Sequence, residues 1–258
     1  MAEFQITSSA GTQLKECRGD LWYKWDKPQQ YQGLAEVLTS RFLQNLVLPK
    51  GLSFVSYRPI CEAGKTGCVS SSFSSNPWRS ASLFHYLQRH MGTDNPVGCF
   101  AASDVYQSYD KMMNTFVDLF GSFAPQYFTW LQLIDTVVLN GDRHWNNINV
   151  LTNIRNNRVS LAPLFDFGEG LGANVIYPDV SWESIIKFSQ TACKWITPSF
   201  DDALKVAQNF SPITVKWRSN RVLLSDLEQY YPKEIIARAF NILQARSCAY
   251  LGLSLVPF

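Results

Sequence analysis

Short apolar runs broken by turn residues fill the first third of the chain. Phe4–Thr7 reads as a short strand, and Leu14–Cys17 runs into a turn at Gly19-Asp20. Leu21-Trp22-Tyr23-Lys24-Trp25 is the next strand. Leu52–Ile60 and Gly67–Phe73 are two more, separated by Glu62-Ala63-Gly64-Lys65-Thr66. Between them, Gly33–Leu46 places apolar residues at 34, 37, 38, 42, 43 and 46, a helical stripe. The pattern predicts an antiparallel sheet with one helix over 1–76.

The remainder, 77–258, turns to a helical period. Ser80–Arg89, Asp104–Gly121, Pro125–Leu139, Pro198–Phe210 and Pro232–Leu251 read as helices. Asp104 suits an N-cap, Pro125 and Pro232 suit the first helical position, and Gly252 suits a C-cap. One β-ribbon interrupts the helices. Ile148–Leu151 and the run Val159–Phe165 flank polar Asn153–Arg158, where Asn156-Asn157 fits a tight turn. No chemistry is evident after about residue 171, so that part is expected to buttress the helical half and to offer a substrate or partner surface.

Composition narrows the possibilities. Hydrophobic residues make up 46% and charged residues 17%, the balance of an ordinary globular chain. A net charge of +2 without Lys/Arg blocks gives no case for direct nucleic acid binding. No apolar run is long enough to span a membrane, and Met1–Gly11 lacks a charged-then-apolar secretion signal. The six cysteines, at 17, 61, 68, 99, 193 and 248, form no Cys-x-x-Cys and no zinc pattern with the three histidines. A reducing cytoplasm is the expected location, with secretion into a host cell left open.

Candidate chemistry concentrates in Leu139–Gly170. Asp142 is followed five positions later by Asn147, and Asp166 opens Asp166-Phe167-Gly168. An aspartate beside an attacking hydroxyl, an asparagine on a metal and another aspartate that binds metal are the parts of a phosphoryl-transfer site. The ribbon would bring Asn147 and Asp166 to one end, where carboxylate and amide oxygens suit Mg²⁺. Lys24 stands in a strand whose other members are apolar, a costly place for an unpaired charge. It is either a phosphate-binding lysine or a solvated edge-strand lysine. Glu36, early in the helix, either holds that lysine or complements the helix dipole. Arg143 could pair with a carboxylate and brace the loop, and His144 could bond backbone near Asp166. Both read as supports.

Asn140-Gly141-Asp142-Arg143-His144-x-x-Asn147 together with Ala162-Pro163-Leu164-Phe165-Asp166 resembles the HipA-like serine/threonine kinases. Gly141-Asp142-Arg143-His144-x-x-Asn147-Ile148 with Asp166-Phe167-Gly168 also resembles the phosphatidylinositol 3-/4-kinase superfamily. Ala10-Gly11-Thr12-Gln13-Leu14-Lys15 resembles the Ser/Gly-rich loop of the HipA-like kinases, and Tyr23-Lys24-Trp25-Asp26 followed by Gly33-Leu34-x-Glu36 resembles their shorter members. The resemblance implies an α+β, bilobal protein-kinase-like fold, with a small antiparallel-sheet N-lobe at 1–76 and a mostly helical C-lobe at 77–258. It implies ATP and Mg²⁺ as cofactors. Asp142, Lys24 and Glu36 would be catalytic, and Asn147 and Asp166 metal-binding. Ser8, Ser9, Ala10 and Gly11 would join Lys24, Asn147 and Asp166 around the nucleotide, with autophosphorylation at Ser8 or Ser9. The adenine hinge is expected near Val69–Phe73. A protein substrate and an antitoxin-like partner, or one standing in for the extra N-terminal subdomain of full-length HipA kinases, are also implied. The alternatives are a kinase of lipid or small-molecule hydroxyls and a nucleotide-binding module without catalysis. Gly170–Ser181 holds no Lys or Arg, against the basic substrate loop expected of a lipid kinase.

Overall fold

The computed structural model describes residues 13–173 and 199–258. The expected strand Phe4–Thr7, the residues Ser8, Ser9, Ala10 and Gly11, and Pro198 lie outside the described residues.

Four strands form the first sheet: β1 (Leu14–Arg18), β2 (Leu21–Trp25), β3 (Arg58–Glu62) and β4 (Lys65–Ser71). Their order is β1-β2-β4-β3, antiparallel throughout. Both hairpins turn on two residues. Gly19 is left-handed in the first, and Ala63 and Gly64 both are in the second. Positive φ there supplies the twist that such short loops require. Helix α1 (Gln32–Gln44) lies against this sheet, and every residue from Gln32 to Leu43 except Arg41 is buried.

The segment 72–77 crosses to the second lobe. There β5 (Trp78–Ser82), β6 (Asn149–Asn153) and β7 (Val159–Leu161) form a three-stranded antiparallel sheet, Val150 pairing with Leu161. Against it pack α2 (Leu83–Met91) and α3 (Val105–Phe120), and behind α3 come α4 (Ala124–Val138), α5 (Phe200–Phe210) and α6 (Lys233–Leu251). Helix α4 is buried along almost its whole length between α3, α5 and α6. A short parallel pair, β8 (Arg221–Val222) with β9 (Val256–Pro257), closes the C-terminal region. None of the helices among the described residues is long and apolar enough to cross a membrane.

The caps follow local chemistry. Asp104 accepts from the Gln107 N–H at 2.9 Å, Pro125 sits in the first turn of α4, and Gly252 ends α6 in the left-handed region. Pro232 stands at the N-cap of α6, one place before the position expected.

Two expectations fail, each because a long-range partner overrides local period. Leu52–Tyr57 is not a sheet strand. Its apolar residues Leu52, Val55 and Tyr57 are buried, and its backbone bonds to Leu164, through Val55 N–H to Leu164 O at 2.9 Å and Leu164 N–H to Ser53 O at 2.8 Å. Ser80–Ser82 is strand, not helix, because Ser80 and Ser82 pair with Leu151 and Asn149 of β6. Ser82 then caps α2, its hydroxyl accepting from the His85 N–H at 3.2 Å.

The chain after residue 199 does more than support the helical lobe. It wraps the C-terminal end of α1: Val47 N–H donates to Lys216 O, Arg218 N–H to Asn45 O, and Arg41 forks onto Asp226 at 2.8 and 2.6 Å.

Candidate active site

Lys24 is the centre of charge between the lobes. It projects from β2, and its ammonium donates to Glu36 Oε1 from α1 and to Asp166 Oδ1 at 2.6 Å. Lys24 is 6% exposed and Glu36 fully buried, so their opposite charges meet out of water, where each offsets the other's desolvation. The second oxygen of Glu36 accepts the Phe167 N–H at 3.0 Å, which ties the helix to the segment beginning at Asp166. Burial by itself pushes the Lys24 ammonium down, but Asp166 and Glu36 overcome it and hold its pKa well above the ordinary lysine value. Burial likewise pushes the Asp166 carboxyl up, and Lys24 and Lys15 reverse this, holding it well below the usual carboxylate range.

Asp166 has φ of 65°, a left-handed conformation that aspartate tolerates better than most residues. It is held there from behind. Asn140 Nδ2 donates to the Asp166 carbonyl at 3.2 Å and to Asp135 Oδ1 at 2.8 Å. Arg143, almost completely buried, forks onto Asp135 at 2.8 and 3.0 Å. Its remaining nitrogen donates to the carbonyls of Asn147 at 2.7 Å and Phe165 at 2.9 Å. One guanidinium therefore braces both segments that carry candidate metal ligands. Burial raises the Asp135 carboxyl against the counteracting charge of Arg143.

Asp142 and Asn147 stand on the loop after α4. The Asn147 amide donates to the Asp142 carbonyl at 2.9 Å, fixing the five-residue spacing. His144 Nε2 lies 3.8 Å from Asp142 Oδ2. His144 shows no hydrogen bond to backbone near Asp166. Arg143 fills that place because its longer fork reaches two carbonyls at once.

Asp142, Asn147 and Asp166 line one open cleft, with Lys15, Gln32 and Glu169 around it. Lys24 adjoins it through Asp166, and Glu36 through Lys24. Among the described residues no cluster of three or more His, Cys, Asp or Glu forms a metal cage. Two carboxylates and an amide facing one cleft nonetheless fit a hard cation that completes its shell with water and phosphate oxygens. The shortest contact of each lysine falls on Asp166 Oδ1. Val69–Phe73, the expected hinge, spans the end of β4 and the start of the crossing, with the Phe73 ring 5.2 Å from Phe165.

Sequence reasoning assigned no role to Lys15, Asp135 or Asn140. Lys15 pairs with Lys24 across the β1–β2 hairpin, and its ammonium lies 3.5 Å from Asp166 Oδ1. Counting back from the two-residue turn Gly19-Asp20 gives that pairing directly. Asp135 carried the other available signal, a carboxylate inside an otherwise apolar helix stretch.

A small antiparallel sheet with a buried lysine, a helix glutamate bonded to it and a helical lobe carrying two aspartates and an asparagine define a protein-kinase-like fold. No protein family's sequence pattern matches the chain, and no curated protein sequence matches it. Among solved structures it resembles CtkA, a proinflammatory kinase of Helicobacter pylori, with a TM-score of 0.61 at 11% identity over 98% of this chain and 94% of that one. Looser likenesses are HipA of Shewanella oneidensis, in complex with HipB and its operator DNA, and the Golgi casein kinase. The first has a TM-score of 0.45 at 12% identity over 96% of this chain and 66% of that one. The second has 0.35 at 13% identity over 98% and 73%. The bilobal protein-kinase-like fold expected from the sequence is the fold the chain has.

Proposed function

We propose that the protein is an ATP- and Mg²⁺-dependent kinase that phosphorylates serine or threonine hydroxyls of a protein substrate. The observation that carries this reading is the Lys24 ammonium held between Glu36 and Asp166 beside a cleft lined by Asp142 and Asn147. Asp142 orients the substrate hydroxyl and accepts its proton as the oxygen bonds to the γ-phosphorus and ADP departs. Lys24 neutralises phosphate charge, Glu36 holds Lys24 in place, and Lys15 adds a second positive charge on the same side. Asn147 and Asp166 would hold Mg²⁺, which supplies charge neutralisation at the phosphates. Arg143 and Asn140 keep these segments in register. Alignment and charge placement supply the rate enhancement.

The same reading includes autophosphorylation at Ser8 or Ser9, a toxin or effector role and an antitoxin-like partner, which come from the sequence resemblance, and a cytoplasmic location, which comes from the cysteine pattern. The test is incubation of the purified protein with γ-labelled ATP and Mg²⁺, alone and with a cell lysate, followed by mapping of labelled residues. Label on serine or threonine, lost in Asp142→Asn, is the expected result. Label in the lipid fraction would replace the substrate class, and nucleotide binding without any transfer would reduce the protein to a binding module.

A further inference from the structure

Asp26 lies two residues after Lys24, and Gly33 lies three residues before Glu36. Between them the chain leaves β2, turns and enters α1. The residue at the N-cap of α1, Tyr31, makes no side-chain cap bond. Asp26 supplies it from across the turn, its Oδ1 accepting the Gly33 N–H at 2.6 Å. The other oxygen, Oδ2, accepts from the Thr66 hydroxyl at 3.2 Å, and the Asp26 N–H donates to Thr66 O at 2.9 Å. A single carboxylate thus joins the strand of Lys24, the helix of Glu36 and the neighbouring strand β4.

A fourth element closes the arrangement. Tyr231, just before α6 and buried, donates its hydroxyl to the Gly67 carbonyl at 3.0 Å. Its ring meets Tyr31 edge-on at 6.4 Å. Space is tight: a Cβ on Gly33 would stand 2.7 Å from Gly67 C and 2.8 Å from the Tyr231 hydroxyl. Glu36 sits less than one helical turn beyond Gly33, about 4.5 Å along the axis at the usual rise. Any slippage of the first turn is therefore passed to the Glu36 carboxylate, which bonds both Lys24 and the Phe167 N–H.

We propose that Asp26 and Tyr231 are positioning residues for phosphoryl transfer, clamping the first turn of α1 onto β4 so that Glu36 stays engaged with Lys24 and Phe167. The effect on rate rests on the kinase reading above; the effect on α1 does not. The segment after residue 199 is then part of the machinery that sets the catalytic lysine, although it supplies no residue to the cleft.

The test uses the full chain with Asp26→Ala, Asp26→Asn, Tyr231→Phe and, as a control, Tyr250→Phe. The control loses a comparable hydroxyl bond, to Asp201, away from α1. Two readouts are taken: steady-state kinetics with ATP, and hydrogen exchange of the amides of Phe167 and the first turn of α1. Asp26→Ala is expected to lower kcat about 10- to 100-fold, the cost of a small misplacement in the site, while KM for ATP changes far less. Asp26→Asn, which keeps an oxygen for the Gly33 N–H, restores most of the loss. Exchange at Phe167 accelerates in Asp26→Ala and Tyr231→Phe and is unchanged in Tyr250→Phe. If Asp26→Ala does not fold, Tyr231→Phe decides by the same readouts. Unchanged Phe167 exchange in Tyr231→Phe and Asp26→Ala, whatever their melting temperatures, overturns the clamp. If the wild-type chain transfers no phosphate, the kinase reading falls and the exchange measurement alone still decides whether the clamp stands.

Discussion

Asp166 gathers more charge than any other residue of the cleft, with two lysines on one of its oxygens. Asn can adopt its left-handed backbone, so Asp166→Asn isolates the charge from the conformation. The variant is expected to lose phosphotransfer by about 10²-fold or more, the size of one lost preorganised electrostatic interaction. Its folded state should also be less stable at pH 7, by about 1–3 kcal/mol. A carboxyl whose folded pKa is depressed contributes stability that is present above its unfolded value, near 3.8, and is lost as pH falls through the folded value. Urea unfolding in EDTA should therefore show the gap between wild type and Asp166→Asn narrowing below about pH 4; a gap that holds or widens would contradict the pairing. Asp142 makes the opposite case. It is half-exposed on a loop, so Asp142→Asn should lower kcat by about 10²- to 10⁴-fold, as loss of a general base does, with a melting transition unmoved. At this scale, spacing within a short stretch exposed Asp142, Asn147 and Asp166, and burial logic exposed Lys24. Lys15, Asp135 and Asn140 escaped because each acts through a partner supplied by a different element.

In α1 one close packing contact opposes local preference. Gly33 in its first turn costs about 1 kcal/mol of helix propensity against Ala. Propensity alone predicts that Gly33→Ala stabilises the protein. The close approach to Gly67 and Tyr231 predicts the reverse, a loss of about 1–3 kcal/mol from overpacking. Denaturant unfolding decides the sign. A Cβ on Gly67 would be worse still, at 2.2 Å from the Lys24 carbonyl oxygen. Helices α3 and α4 were legible because their stripes and first-turn residues are local facts. Leu52–Tyr57 and Ser80–Ser82 were not, since an extended or ambiguous run takes its state from whichever backbone it bonds to. For these the partners are Leu164 and β6, far along the chain.

Over the whole molecule, the C-terminal residues hold both lobes. Phe200, Ala203 and Ala207 of α5 are buried in the core, and Arg41, Asn45 and Val47 at the far end of α1 bond to 216–226. A fragment ending before Ser199 should therefore show no cooperative thermal transition by circular dichroism. A sharp transition in that fragment would mean that the two lobes fold without this wrapping. The sequence by itself determined the two-lobed α+β character and raised the expectation that Lys24, Glu36, Asp142, Asn147 and Asp166 share one site. Those rest on periodicity, on short-range spacing and on the cost of a charge among apolar neighbours, all of which are written locally. Only tertiary structure decided that Asp135, Asn140 and Arg143 form one brace, that Lys15 joins Lys24 at Asp166, and that Tyr231 reaches the sheet. Such bonds join residues up to 164 positions apart, and the closure of the chain that pairs them depends on the packing of every element between.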